Sequence, residues 1–282
     1  MKVTLNWLKQ SVDFNWSPEE LTGQFTKLVK TKSNHSELFA VLLIALLAAA
    51  GCKTSNQSCC SMPACMADAA VSVVQTKNSQ TAMTPAQALA ELKHGNSRFV
   101  AGKPLGRDFP AQVKATAGGQ YPFAVVLSCL DSRQPIEIVL DQGVGDIFSA
   151  RVAGNVLDDD ILGSMEFACK ASGAKLIAVI GHSNCGAIKG AVDNVELGNL
   201  TGLLTKIKPA IDAVPADVQP RTTKNYAFVN DVSEANVKLV MQQIRERSPI
   251  LREMLDKNEI GLVGGMYDLS TGKVPFYDTQ AK

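Results

Sequence analysis

An α/β fold with a mainly parallel central sheet is what the sequence predicts, and three observations predict it. Four short runs between residues 123 and 267 are mostly apolar, and two of them, 123–127 and 176–180, are apolar throughout. Segments with apolar residues at helical spacing separate them. The composition, 46% hydrophobic and 20% charged over 282 residues, is that of a globular chain of one or two domains. A strand apolar on both faces needs cover on both faces, and crossover helices between parallel strands supply it.

The elements follow in order. Thr84 is a good N-cap and Pro85 suits a first helical turn, so order is expected from there. Leu89, Leu92 and Phe99 continue at roughly helical spacing. Residues 123–127, 146–150, 176–180 and 261–267 are the strands. Residues 161–171, 187–197 and 234–247 read as the main helices between them. Residues 274–277 are expected to add an antiparallel edge strand through a turn at Ser270, Thr271 and Gly272. The folded domain is therefore placed at residues 84–282.

The remainder reads as a leader, residues 1–52, and a flexible tether, residues 53–83, rich in Ser, Ala, Gln, Asn and Thr. The thirteen apolar residues 38–50 are too few for a spanning helix, which needs about twenty. They suit the apolar part of a secretory signal, with Lys27, Lys30 and Lys32 upstream; the alternative is a buried core helix. Small residues ending in Gly51 and Cys52 resemble a bacterial lipoprotein signal, which implies a lipid on Cys52 and a place in the cell envelope or periplasm. A leader left unprocessed would instead leave the chain in the cytoplasm. Cys59, Cys60 and Cys65 read as exposed thiols in the tether. Residues 1–30 resemble the start of a phenylalanyl-tRNA synthetase beta chain, and nothing later continues that resemblance. A net charge of +1 and 6% aromatics leave neither a basic face nor a stacking platform for nucleic acid.

Two motifs carry the chemistry. One is Cys129-Leu130-Asp131-Ser132-Arg133 and the other is His182-Ser183-Asn184-Cys185. Two thiolates and an imidazole suit Zn²⁺, and three protein ligands leave a fourth position for water, whose pKa falls to about 7 there. Cys129 and His182 each follow an apolar strand, at the end where open α/β sheets bind ligands. Cys185 opens the next helix, whose N-terminus favours a thiolate. Asp131 can accept a hydrogen bond from the nucleophile, with Arg133 holding it ionised and aimed. Alternatives are Asp131 as a fourth ligand that closes the site, or an ion pair that only fixes the loop. Cys169, in an apolar helical stretch, reads as plain core.

Together these motifs resemble the beta-class carbonic anhydrases. The likeness runs over most of residues 84–277, including the stretches 95–99, 151–155 and 181–183. It implies zinc on Cys129, His182 and Cys185, an Asp131–Arg133 dyad, and reversible hydration of CO₂ to bicarbonate and a proton. It further implies substrate contact by Gln120, an apolar CO₂ pocket at Phe148 and Ala153, and a homodimer or tetramer embraced by the helix from Pro85. Val126 stands where some members carry a tryptophan of an inhibitory bicarbonate site, so that site is expected to be absent, although Arg151 matches another of its residues. A hydrolase of CS₂ or COS on the same scaffold, or a non-catalytic zinc-binding protein, are the rival readings.

Overall fold

The structure, a computed structural model, describes residues 73–277. The apolar segment 38–50 and Cys52, Cys59, Cys60 and Cys65 lie outside the described residues. Helix α1 (Lys77–Ala82) starts before the expected boundary at Thr84, so the end of the predicted tether is helical. Thr76 caps it, and its Gln80 amide donates to the carbonyls of Pro122 and Ser172 at 2.7 and 2.8 Å. Those partners are 42 and 92 residues away, so no local pattern announces this helix. Helix α2 (Pro85–Val100) begins as expected, with Thr84 and Gln87 forming a capping box.

The chain then runs through α3 (Phe109–Thr116), β1 (Ala124–Ser128), α4 (Ile136–Val139) and β2 (Ile147–Arg151). A 3₁₀ turn (Ala153–Asn155) leads to α5 (Asp159–Glu166), a π-turn (Phe167–Ala171), β3 (Leu176–His182) and α6 (Gly186–Val192). Next come α7 (Gly198–Thr205), α8 (Lys208–Ala213), α9 (Tyr226–Arg247), α10 (Pro249–Asp256), β4 (Gly261–Tyr267) and β5 (Phe276–Tyr277). The expected helix over 161–171 is thus split, and Cys169 sits buried in the π-turn, its thiol pushed up to about 12 by burial.

The sheet order is β2-β1-β3-β4-β5, with β5 antiparallel and the other four parallel. Side chains alternate across it with the strand period of two. Val125, Leu127, Ile177 and Val179 face Val237, Val240 and Ile244 of α9. Val126, Ala178 and Ile180 face the other way, toward α2 and α4. Gly95 of α2 approaches so closely that a Cβ there would lie 1.8 Å from the Leu140 carbonyl oxygen. The helix expected to embrace a partner therefore spends its apolar face, Ala88 and Leu92, on its own sheet. Among the described residues no helix is long and apolar enough to cross a membrane.

One topological feature positions the site. From β1 the chain crosses to β2 on one flank; β3 lies on the other flank of β1, and from it the chain continues outward to β4. The connections leave β1 and β3 in opposite directions, which opens a crevice at their C-terminal ends.

Candidate metal centre

Both sequence motifs fall in that crevice. Cys129 follows the last residue of β1, His182 ends β3, and Ser128 is in register with Ile180. Asn184, at φ +56°, turns the chain sharply enough for Cys185 to reach back as the N-cap of α6. The three ligand atoms lie within 4.8 Å of one another, and the two sulfurs are 4.0 Å apart. Tetrahedral zinc, with Zn–S near 2.3 Å, sets two sulfurs about 3.8 Å apart.

The electrostatics fit a cation. His182 is fully buried, and its Nδ1 lies 3.0 Å from the Ser183 carbonyl oxygen. A carbonyl only accepts, so Nδ1 carries the proton and Nε2 keeps its lone pair. That Nε2 is buried without a hydrogen-bond partner and shares a cluster with both sulfurs. The Cys129 thiol is drawn down to about 4, first by a hydrogen bond from Cys185, then by His182 and the backbone around it. The Gly154 N–H donates to Cys129 Sγ at 3.3 Å. The Cys185 thiol is pushed up by its hydrogen bond to Cys129 and by burial, against the pull of the Ile188 and Ala187 amides. The expected help from the helix start is present but outweighed. Two adjacent sulfurs sharing one proton are a pair that a dication completes by displacing it. Val156, Ile188, Ile207 and Phe228 pack around them in an apolar shell.

Asp131 stands beside the triad but is turned to Arg133. Its Oδ1 accepts from the Arg133 backbone N at 3.0 Å and Nε at 2.9 Å, and its Oδ2 from Nη2 at 2.7 Å. These bonds from Arg133 hold the carboxyl down to about 2. Asp131 Oδ2 lies 3.9 Å from His182 Nε2. From β2, Arg151 donates to the Cys129 carbonyl at 3.2 Å and the Asp131 carbonyl at 2.7 Å, which pins the loop.

The expected substrate residues separate. Ala153 adjoins Gly154 and so adjoins the ligands. Phe148 sits in the middle of β2, edge-on to Phe167, and lines a different cleft of about 690 Å³ with Val125 and Ile161. Gln120 is exposed ahead of β1, whereas Cys129 follows its far end, about 16 Å along the strand. Within one chain the triad, the dyad and Ala153 come together; Gln120 and Phe148 stay apart from them.

Other contacts were not legible in the motifs. Asn184 N donates to Asn230 Oδ1 at 2.9 Å, and Asn236 Nδ2 donates to the Gly154 carbonyl at 2.8 Å. The one available signal was polar residues at 230, 233 and 236, at spacing three, along the otherwise apolar face of that helix.

A family model described as carbonic anhydrase matches residues 124–274. Carbonic anhydrase 2 of Mycobacterium tuberculosis is 34% identical over 195 residues, covering 69% of this chain and 93% of that protein. Among solved structures, a beta-carbonic anhydrase of the fungal pathogen Aspergillus fumigatus is similar with a TM-score of 0.56 at 25% identity, over 70% of this chain and 92% of that one. One of two tetrameric beta-carbonic anhydrases of Sordaria macrospora is similar with a TM-score of 0.52 at 25% identity, over 59% and 86% of the two chains.

Proposed function

The chain belongs to the beta-carbonic anhydrase family and catalyses the reversible hydration of carbon dioxide to bicarbonate and a proton, and from that premise we propose zinc as its metal, held by Cys129, His182 and Cys185. When bound, zinc supplies the Lewis acidity that makes a water molecule acidic near neutral pH. Asp131 accepts a hydrogen bond from the attacking O–H, so the oxygen's lone pair faces the carbon of CO₂. Arg133 occupies both carboxylate oxygens from one side and keeps Asp131 ionised. It also turns Asp131 away from the triad, which favours an orienting role over that of a fourth ligand. As the C–O bond forms, one C=O electron pair moves onto oxygen and gives bicarbonate; the proton of the original water leaves to solvent.

The observation that carries this reading is the grip of Arg133 on Asp131 beside a buried Cys-His-Cys set. Stopped-flow CO₂ hydration by the full chain loaded with zinc tests it. Turnover far above the buffer rate at pH 8 and higher is expected. A rate equal to buffer in zinc-loaded protein overturns it, and turnover of CS₂ without CO₂ would reassign the substrate.

We further propose a homodimer or a multiple of it. Among the described residues strand β2 is an edge of the sheet, and Phe109, Val113, Ile138 and Phe167 are exposed. A second copy would also bring Gln120 and Phe148 to a site that their own chain keeps out of reach. Sedimentation of a fully active monomer would refute this. Export with a lipid on Cys52 is proposed from the segment 38–52 alone; an intact Met1 in mass spectra of the mature protein refutes it.

A further inference from the structure

Helix α9 packs on the sheet through an apolar face that includes Val229, Val232, Val237 and Val240. Three polar residues interrupt it at i, i+3 and i+6, which places them in one stripe. The middle one, Ser233, is buried and turns its hydroxyl back onto its own helix, donating to the Val229 carbonyl at 2.8 Å. The outer two reach away from the helix. Asn230 accepts from the Asn184 N–H at 2.9 Å. Asn236, 1% exposed, donates to the Gly154 carbonyl at 2.8 Å.

Both bonds land on left-handed backbone. Asn184 is at φ +56° and Gly154 at φ +64°. At Gly154 the space is closed too, because a Cβ would lie 2.9 Å from Ile207 Cδ1. Glycine and asparagine tolerate this conformation, but tolerance alone does not fix which way each loop points. Each turn also touches a ligand directly. Asn184 immediately precedes Cys185, and the Gly154 N–H donates to Cys129 Sγ. The two bonded loops lie 46 and 82 residues from their asparagines, so one helix face gathers both halves of the site.

We propose that Asn230 and Asn236 are positioning residues for the reaction: from one stripe of α9 they fix the two turns that aim Cys185 and the Gly154 N–H, and thereby set how the paired sulfurs hold the metal. The bond from Gly154 to Cys129 draws electron density from that sulfur, which leaves a bound cation more electrophilic. This inference rests on the metal-site reading above.

The test uses the full chain titrated with cobalt(II) at pH 8, read by chelator competition and by the near-ultraviolet sulfur-to-cobalt band. If the parent protein binds no cobalt, the metal-site reading itself fails. If it binds, Asn236→Leu and Asn230→Leu are each expected to weaken cobalt about 10–100-fold and to shift the band. The two sites then part company under a conservative change. Position 230 needs only an acceptor, so Asn230→Asp should keep affinity and band near the parent's. Position 236 needs a donor, so Asn236→Asp should behave like Asn236→Leu. Ser233→Ala, on the same helix, should alter melting without moving the band. The proposal is overturned if aspartate acts alike at both positions, if all variants keep the parent's cobalt affinity and band, or if Ser233→Ala moves the band as far. A measurement on the unmutated protein covers variants that do not fold. With ¹¹³Cd bound, a coupling between the metal and the Gly154 amide proton is expected across the N–H···S bond, and its absence overturns the role given to Asn236.

Discussion

Asp131 and Asp141 are each clasped by arginine, and they do opposite things. Asp131 takes its side-chain hydrogen bonds from one neighbour, Arg133, and stays 16% exposed beside the metal triad. Asp141, 2% exposed, collects donors from three places: Arg98 of α2, the Leu105 amide and Arg107. Burial alone would lift the Asp141 carboxyl, but the bonds from Arg98 and Arg107 outweigh it and hold it below the usual carboxylate range. The first pair leaves one side of its carboxylate open toward a reacting atom. The second is filled on every side and ties α2 and the 105–107 loop to the turn after α4. An Asp–Arg pair is therefore functional or structural by what remains unfilled around it.

The contrast is broken most severely at Asp131. Asp131→Asn keeps the shape and removes the charge that orients the nucleophile, so kcat should fall about 10²–10⁴-fold, with metal content and melting temperature unchanged. Loss of zinc in that variant, read by elemental analysis, would make Asp131 a ligand instead. Asp141→Asn should do the reverse. It strands two arginines with little exposure, at a cost of about 3 kcal/mol, or roughly 6–12 °C in melting temperature for a domain of this size. Its kcat at 25 °C should match the parent's. A fall in kcat without a fall in melting temperature would erase the distinction.

The same contrast explains what the sequence made legible. Asp131 and Arg133 are two residues apart, in a motif that also holds Cys129, so their partnership could be read directly. The partners of Asp141 lie 43, 36 and 34 residues away and belong to no pattern. The four parallel strands were legible because β1 and β3 are buried on both faces and β2 and β4 are largely apolar, and their limits shift by at most two residues. Helices α3, α7 and α8 are short and lean on tertiary contacts, so periodicity alone did not reveal them, whereas α10 is strongly amphipathic and carries a start signal in Ser248 and Pro249. At the site the ligands were legible as chemistry, whereas the bonds that Asn230 accepts and that Asn236 and Gly154 donate were not, since their partners are backbone groups or a sulfur far away in sequence.

A milder change sharpens the catalytic half. Arg133→Lys keeps a positive charge but loses the fork that grips both oxygens of Asp131. Turnover should drop about tenfold, less than for Asp131→Asn, because the carboxylate persists but is no longer aimed. Equal losses in the two variants would mean that Arg133 does more than hold Asp131.

The smallest effect separates charge from shape at Asp141. Its folded pKa lies below the unfolded value of about 3.9. A depressed carboxylate contributes stability that is complete above the unfolded pKa and is lost as pH falls toward the folded one. The gap in unfolding free energy between the parent and Asp141→Asn should therefore be constant from pH 7 to 5. Below pH 4 it should narrow, by about 1.4 kcal/mol per pH unit, until the folded pKa is reached. Other carboxylates titrate in both proteins and cancel in the difference. Denaturant melts at matched pH read that difference, and a gap undiminished at pH 3 would show that Asp141 holds α2 by the shape of its hydrogen bonds rather than by charge.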